Sequence, residues 1–163
     1  MRDKSQIIAL LIIILFMSLT HSQTNAEIKS IVNNLCLGPA GNDATQNKNV
    51  AMYSCDGNIA QKWYYNSSTL EIRNAATDNC LDLAGGAAND GVNIRIWSCN
   101  GAINGAQDWL LNSNGTITNL AHNKCLDVAS NNNVQQWQCD GDLNQYWYGD
   151  FLPGITFMYL ICI

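Results

Sequence analysis

Short apolar stretches separated by polar turns run along most of the chain. From residue 27 onward, β-branched and aromatic residues alternate or cluster in runs such as TLEIRN, VNIRIWS and WYYN. Groups of Asn, Asp and Gly interrupt these runs about every 8–12 residues, a spacing typical of all-β sandwiches and barrels. No window beyond the N-terminal stretch has the apolar period of a helix. The pattern predicts an all-β fold built from short strands.

The N-terminal segment has a different pattern. Residues 1–4 contain two basic residues and one acidic residue, and residues 7–19 are almost continuously apolar. Small residues follow in THSQTNAE, which is the layout of a secretory signal peptide. A buried helix or a membrane anchor is the alternative, but roughly 20 apolar residues are needed to span a bilayer. We therefore expect residues 1–22 to be a signal peptide, with Ala26 as the latest cleavage position, and the mature protein to be secreted.

The same pattern of apolar, polar and cysteine residues occurs three times along the chain. The segment EIRNAATDNCLDLA, from Glu71, shares seven identical positions with TITNLAHNKCLDVA, from Thr116. The segment EIKSIVNNLCLGPA, from Glu27, shares its Glu-Ile pair, its Cys-Leu pair and its final Ala with the Glu71 segment. Later in each unit come an aromatic residue two positions before a cysteine, then Asp or Asn with Gly, then Gln-x-Trp. Self-similarity at this period predicts three structural repeats, at about 27–70, 71–115 and 116–150.

Cysteine positions follow the same repeat. Six cysteines allow fifteen pairings, but equivalent units favour one pair within each unit. These pairs are Cys36 with Cys55, Cys80 with Cys99, and Cys125 with Cys139. In a secreted chain they are expected to be disulfides. No CxxC motif occurs and the histidines are His21 and His122, so we expect no metal site.

The net charge of the chain argues against some classes of binding partner. The chain has 8 Lys and Arg against 13 Asp and Glu, a formal net charge of -5. Removal of residues 1–22 makes the mature chain one unit more negative, because Arg2, Lys4 and Asp3 are lost. An acidic surface does not attract phosphates, so nucleic acids and anionic membranes are not expected partners. A neutral ligand held by hydrogen bonds and stacking is expected instead.

The three motifs, with the cysteine pairs in register, resemble the ricin B-type lectins. The motifs are Gln61-Lys62-Trp63, Gln107-Asp108-Trp109 and Gln145-Tyr146-Trp147, and the resemblance covers about residues 27–150. It implies a β-trefoil, in which a six-stranded barrel is capped by three hairpins. It also implies that the three motif tryptophans pack in the shared core and that no cofactor is needed.

The resemblance further implies one sugar site per repeat. Each site pairs the Asp after the first Cys-Leu with the aromatic residue two positions before the second cysteine. The first repeat has Gly38 in place of the Asp, with Ala51, Tyr53 and Ala60 nearby. Without the carboxylate, this site is predicted to be inactive.

The other two repeats retain the Asp and a tryptophan. The implied carbohydrate-binding residues are Asp127, Gln135, Trp137, Asn144 and Gln145 in the third repeat, and Asp82, Arg95, Trp97 and Gln107 in the second. In the second repeat Arg95 stands where the family often has Gln, and Ala106 stands in place of Asn. Arg95 either donates to a sugar or pairs with Asp82 and closes the site. In the third repeat the polar set is complete, although its hairpin loop is five residues shorter.

With the resemblance, the sequence predicts a secreted, stand-alone lectin. The resemblance implies galactose-type sugars, with glycans carrying galactose or N-acetylgalactosamine as partners. A trefoil interaction or inhibitor module without sugar binding, or a module for a polysaccharide such as xylan, is the alternative. An enzyme is not expected, because glycosidases need two carboxylates flanking one bond. Asn66 and Asn114 begin glycosylation sequons.

The apolar tail, residues 151–163, follows the last repeat. It is too short to span a membrane, so no membrane insertion is expected. Three interpretations of this tail remain open: packing across the barrel, contact with a partner, and an error in the gene model. Cys162 is the odd seventh cysteine, and a pairing between two chains is one role open to it.

Overall fold

Within residues 24–101 and 105–152, which the computed structural model describes, the chain forms short antiparallel strands joined by turns. The first repeat contains β1 (Ala26–Glu27), β2 (Lys29–Ser30), β3 (Cys36–Pro39), β4 (Val50–Tyr53) and β5 (Lys62–Asn66). The second contains β6 (Glu71–Asn74), β7 (Cys80–Leu83), β8 (Val92–Trp97) and β9 (Trp109–Leu111). The third contains β10 (Ile117–Asn119), β11 (Lys124–Val128), β12 (Val134–Trp137) and β13 (Trp147–Tyr148). Short 3-10 turns occupy Ala40–Asn42, Ile59–Gln61, Ala84–Gly86 and Leu143–Gln145.

The first and last strands of the repeats close into a ring. β6 pairs with β5, β10 with β9 and β2 with β13, so each first strand lies beside the last strand of the preceding repeat. Each first strand also meets the last strand of its own repeat, at Glu27↔Lys62, Glu71↔Asp108 and Thr116↔Tyr146. In the first repeat, β1 and β2 together form the first strand, which is interrupted at Ile28. The middle strands form the hairpins β3–β4, β7–β8 and β11–β12, and the predicted β-trefoil is confirmed.

The indole of each Gln-x-Trp motif makes an equivalent buried hydrogen bond. All three indoles are fully buried, and Nε1 donates to the carbonyl of the leucine that follows the first cysteine of the unit. The distances are 2.9 Å for Trp63 to Leu37, 2.9 Å for Trp109 to Leu81, and 3.0 Å for Trp147 to Leu126. Each bond ties the last strand of a repeat to its own hairpin, because the two partners lie on these two elements.

The three hairpins meet through asparagines at equivalent positions. The asparagines are Asn49, Asn93 and Asn133. Each directly precedes a buried aliphatic residue on the second strand of its hairpin. Asn49 Nδ2 donates to Asn133 Oδ1 at 2.9 Å, and Asn133 Nδ2 donates to Asn93 Oδ1 at 2.9 Å. These bonds hold the repeats in one register where their hairpins converge.

Three disulfides close the units in the predicted pairing. They join Cys36 to Cys55, Cys80 to Cys99, and Cys125 to Cys139, with sequence separations of 19, 19 and 14. A loop of this size is worth about 3 kcal/mol in the loop-entropy account. Each repeat therefore carries its own covalent constraint.

The two ends of the chain are described only in part. The predicted signal peptide, residues 1–22, lies outside the described residues, as do residues 153–163 with Cys162. Phe151 and Leu152, which begin the apolar tail, pack against the core. Among the described residues, no helix has the length and apolar character needed to cross a membrane.

Replacement of Trp147 by Phe is expected to lower the free energy of unfolding by about 2–4 kcal/mol, because it leaves a void and an unpaired Leu126 carbonyl. The same change at Trp137, whose side chain is 38% exposed, is expected to cost less than about 1 kcal/mol. Urea denaturation followed by far-UV circular dichroism compares the two variants. Equal losses would contradict the assignment of Trp147 to the core and Trp137 to the surface.

Candidate functional site

The third repeat brings its five predicted residues together on one face of the β11–β12 hairpin. Asp127 pairs directly with Gln135 across the hairpin. Trp137 lies two residues beyond Gln135 on β12, and side chains two apart on a strand share a face. Asn144 and Gln145 reach the same carboxylate from the 3-10 turn before β13.

Asp127 is 2% exposed, and its carboxylate is held by neutral amides. Oδ1 accepts from Gln135 Nε2 at 2.9 Å, and Oδ2 accepts from Asn144 Nδ2 at 2.8 Å and from Gln145 Nε2 at 3.1 Å. A carboxylate offers about four acceptor positions, so these bonds leave capacity for a ligand. Because no cation pairs with Asp127 among the described residues, its charge is available to a hydrogen-bond donor.

Gln145 also fixes the backbone around the site. Its Nε2 donates to the Gln138 carbonyl at 2.9 Å, and its Oε1 accepts from the Asp140 amide at 3.1 Å. Asn144 Nδ2 makes a further bond to the Val128 carbonyl at 3.0 Å. The turn before β13 therefore holds both the carboxylate and the end of β12.

The exposed Trp137 indole completes the third site. It is one of few large apolar side chains exposed in the described residues. A pyranose has a face of C–H bonds that packs on an aromatic ring and a rim of hydroxyls that donate to a fixed carboxylate. The third repeat offers both groups side by side and can therefore bind a polyhydroxylated ring.

The second repeat holds its carboxylate differently. Asp82 Oδ1 accepts from Arg95 Nε at 2.7 Å, and Oδ2 accepts from Gln107 Nε2 at 3.0 Å. The Arg95 guanidinium also lies 3.9 Å from the centroid of the Trp97 ring, a cation–π distance. Arg95 Nη1 donates to Asn47 Oδ1 at 3.3 Å. Of the two roles open to Arg95, the structure has it paired with Asp82, in contact with both the carboxylate and the indole.

The first repeat is closely packed at Gly38, where the other two repeats have their Asp. A Cβ built at Gly38 would lie 3.0 Å from Gln61 Cγ and 3.7 Å from Tyr53 Cδ2. Gln61 Nε2 donates to the Ser54 carbonyl at 3.1 Å. A side chain at position 38 would require Gln61 to shift by a few tenths of an ångström, and the inactivity of this site stays a prediction.

Residues from the preceding repeat also reach the second and third sites, and the sequence analysis missed them. Asn47, in the β3–β4 loop, contacts Arg95. Gly91, in the β7–β8 loop, lies against Trp137 and Gln135. An alignment of the first two repeats at an offset of 44 places Asn47 and Gly91 together, but only the packing of one hairpin on the next shows that they border a site.

The sequon asparagines lie at turns. Asn66 Oδ1 accepts from the Ser68 amide at 3.1 Å, and Asn114 Oδ1 accepts from the Thr116 amide at 3.1 Å. Glycosylation at either position stays a prediction.

Two groups of Glu and Cys side chains lie close enough to hold a metal, Glu27 with Cys36 and Cys55, and Glu71 with Cys80 and Cys99. In both groups the sulfurs are joined in disulfides and therefore offer no thiolate ligand.

A family model for the ricin-type beta-trefoil lectin domain matches residues 24–147. The chain belongs to the ricin-type β-trefoil lectin family. Solved structures of other proteins have a similar fold. No curated protein matches the sequence of this lectin.

The hemolytic lectin CEL-III is 30% identical over 77% of this chain and 30% of its own, with a TM-score of 0.66. The designed threefold-symmetric protein ThreeFoil is 22% identical, with a TM-score of 0.70, over 77% of this chain and 96% of its own. A non-toxic homologue of type II RIPs from Momordica charantia (bitter gourd), solved with alpha-methyl-D-galactoside, is 22% identical with a TM-score of 0.67. That alignment covers 80% of this chain and 49% of the homologue. The two likenesses at 22% identity show the shared fold.

Replacement of Arg95 by Met is expected to lower the free energy of unfolding by about 1–3 kcal/mol, because Asp82 then loses a charged partner in a largely buried position. Lys48→Met is the matched control, since Lys48 and Asp43 form an ion pair with side chains 42% and 40% exposed. An exposed pair contributes about 0–1 kcal/mol. Urea denaturation of both variants measures the difference, and equal losses would contradict the buried role of Arg95.

Proposed function

We propose that this protein is a secreted lectin that binds one galactose-type sugar per chain through its third repeat. The observation that carries the proposal is the buried Asp127 carboxylate, which is held by three neutral amides beside the exposed Trp137 indole. Membership of the ricin-type lectin family supports carbohydrate binding in general, and the geometry of the third repeat supports this location.

Two interactions give the site its selectivity. One sugar hydroxyl donates to the acceptor position of Asp127 that the three amides leave open, and a hydrogen bond to a charged acceptor is the stronger kind. The C–H face of the ring stacks on Trp137, so the indole plane decides which face of the sugar meets the protein. Together they distinguish axial from equatorial hydroxyls. The Momordica homologue was solved in complex with alpha-methyl-D-galactoside, which supports galactose as the sugar class.

The second repeat does not contribute a site in this proposal. The Arg95 guanidinium lies against both Asp82 and Trp97, and these are the two groups that a sugar would contact. A sugar would have to displace an ion pair that is largely buried.

The protein is proposed to act by binding rather than by catalysis. Asp82 and Asp127 are each bonded to groups of their own repeat, so neither is arranged as a partner of the other across one glycosidic bond. The three disulfides support an extracellular location. Asn66 and Asn114 are the proposed glycosylation positions.

The replacement Asp127→Asn is expected to weaken galactose and N-acetylgalactosamine binding by about 10- to 100-fold, since about 1.5–3 kcal/mol is lost with a charged hydrogen-bond acceptor. Titration of tryptophan fluorescence measures the affinities. Asp82→Asn is the matched control and is expected to leave both affinities unchanged. A folded wild-type protein that responds to neither sugar would overturn the proposal, and a xylan-oligosaccharide titration then tests the polysaccharide alternative.

The double replacement Arg95→Gln with Ala106→Asn is expected to open a second sugar site. It installs in the second repeat the residue types that the third repeat has at Gln135 and Asn144. Isothermal titration calorimetry is expected to show the number of sugars bound per chain rising from one to two. In the Asp127→Asn background the same double replacement restores one site, whereas an unchanged stoichiometry would contradict the proposed blocking role of Arg95.

A further inference from the structure

A cavity of about 560 Å³ lies beside the disulfide of the third repeat. Its volume is within the range of about 300–1,000 Å³ that is usual for pockets that hold a small ligand. Asp127 and Trp137, the recognition groups of the proposed sugar site, are not among its lining residues. Gln145 is shared by the cavity and that site, but its side-chain amide is already bonded to Asp127, Gln138 and Asp140. The cavity is therefore a separate feature of the molecule.

The other two repeats have an ion pair at the equivalent place, between a glutamate and the basic residue two positions later. The distances are 3.0 Å from Lys29 Nζ to Glu27 Oε2 and 2.6 Å from Arg73 Nη2 to Glu71 Oε2. Each glutamate also has a carboxylate oxygen within 4.8 Å of the disulfide sulfurs of its repeat. In these repeats a charged pair thus lies against the disulfide.

The third repeat has two short, neutral side chains in place of this pair. Alignment of the repeats puts Thr116 at the position of the glutamate and Thr118 at the position of the basic residue. In the second repeat, the glutamate also accepts from the Gly101 amide at 3.3 Å. The equivalent amide, that of Gly141, lines the cavity and has no hydrogen-bond partner among the described residues. Loss of the ion pair therefore leaves both a space and a free donor.

A tyrosine contact is lost at the same place. In the first two repeats, the residue two positions before the first cysteine accepts from the tyrosine that follows a motif tryptophan. These bonds run from Tyr148 to Asn34 and from Tyr64 to Asp78. The equivalent residues for the third repeat are Leu110 and Asn123. Because leucine has no hydroxyl, Asn123 keeps its side-chain amide without a partner among the described residues.

The lining of the cavity combines free donors and free acceptors without any charged side chain. Asn112 uses its Nδ2 and Asn114 its Oδ1 in bonds around Thr116, so Asn112 keeps an acceptor and Asn114 keeps a donor. Ser113 and Tyr146 add hydroxyls. A hydroxyl both donates and accepts, whereas a carboxylate only accepts and an ammonium only donates. The lining therefore matches a neutral ligand that is rich in hydroxyls.

We propose that this cavity is a second carbohydrate site, which binds a neutral saccharide of two units through amides and hydroxyls. Hydrogen bonds between neutral groups are roughly half as strong as bonds to a carboxylate. Two sugar units are therefore needed here, whereas one suffices at Asp127, and free galactose does not fill this site. The inference goes beyond the proposed function and does not depend on a sugar at Asp127.

The saccharide has two potential sources, because Asn114 begins a sequon and lines the cavity. An N-linked glycan attaches at Nδ2, the atom of this side chain that has no partner among the described residues. Its first two units are N-acetylglucosamine, which is a neutral sugar. The ligand is thus either a saccharide of another molecule or the base of a glycan on Asn114 itself.

The test follows amide signals by NMR spectroscopy in isotope-labelled protein that is produced without glycosylation. The probes are diacetylchitobiose, maltose and cellobiose. At least one probe is expected to shift the side-chain amide signals of Asn112, Asn114 and Asn123 and the backbone amide signal of Gly141, with a Kd of about 1–10 mM. An absence of shifts with all three probes, or shifts confined to Trp137 and its neighbours, would overturn the proposal.

The double replacement Thr116→Glu with Thr118→Arg installs the pair that the second repeat has at Glu71 and Arg73. It is expected to fill the cavity and to weaken probe binding by more than about tenfold. Thr116→Ser with Thr118→Ser is the matched control and is expected to keep the affinity within about twofold. Undiminished binding to the Glu–Arg variant would contradict the site. If that variant does not fold, the wild-type shifts alone decide.

Protein secreted from yeast, with its glycan on Asn114 verified by mass spectrometry, separates the two sources. If that glycan occupies the cavity, added diacetylchitobiose leaves the Asn112 and Asn123 signals where they are. If the ligand belongs to another molecule, the probe still shifts them. Both results keep the site and differ only in the source of the saccharide.

Discussion

The buried hydrogen bond from each motif indole to a leucine carbonyl couples the barrel of this protein to its hairpins. Trp147, for example, sits on the last strand of the third repeat, and its Nε1 reaches the Leu126 carbonyl on β11. Leu126 is followed directly by Asp127, so the bond that fixes the hairpin also fixes the backbone of the carboxylate. An unpaired carbonyl at this depth would cost about 1–3 kcal/mol. The barrel and the hairpin that bears the candidate site therefore share one anchoring interaction in each repeat.

The glutamine of the same motif extends this coupling to the side chains. Gln145 bonds the Asp127 carboxylate and, at the same time, the backbone of Gln138 and Asp140. Gln107 does the same for Asp82 and the Ser98 carbonyl in the second repeat. Where the carboxylate is absent, Gln61 keeps only its backbone partners. The motif glutamine, which bonds the backbone in every repeat, thus also bonds the carboxylate of the candidate site wherever the hairpin supplies an Asp.

One frame therefore carries three different sites. The first lacks its acid, the second has an arginine against both recognition groups, and the third presents a carboxylate held by amides alone. The differences arise at a few hairpin positions, while the motif tryptophans, disulfides and barrel pairing are the same in every repeat. Substitution on this frame is tolerated because the hairpin faces that bear the sites are not the faces that pack in the core. The single galactose site proposed for this chain implies weak affinity per chain, so strong attachment to glycans would need several chains acting together.

The sequence by itself determined the repeat, the all-β class and the cysteine pairing, since each of these follows from local pattern and from the comparison of one unit with the next. The third-repeat site residues were named through the resemblance to the ricin B-type lectins. It named Arg95 as either a donor or a block without deciding between the two roles. Only the tertiary structure placed the guanidinium between Asp82 and the Trp97 ring, because that contact depends on side-chain conformation. Only the tertiary structure placed Gly91 beside Trp137, because the two residues belong to different repeats and meet through the packing of one hairpin on the next. The sequence pattern shows which residues belong to each repeat. The angle and register at which neighbouring repeats pack decide which of those residues lie beside one another.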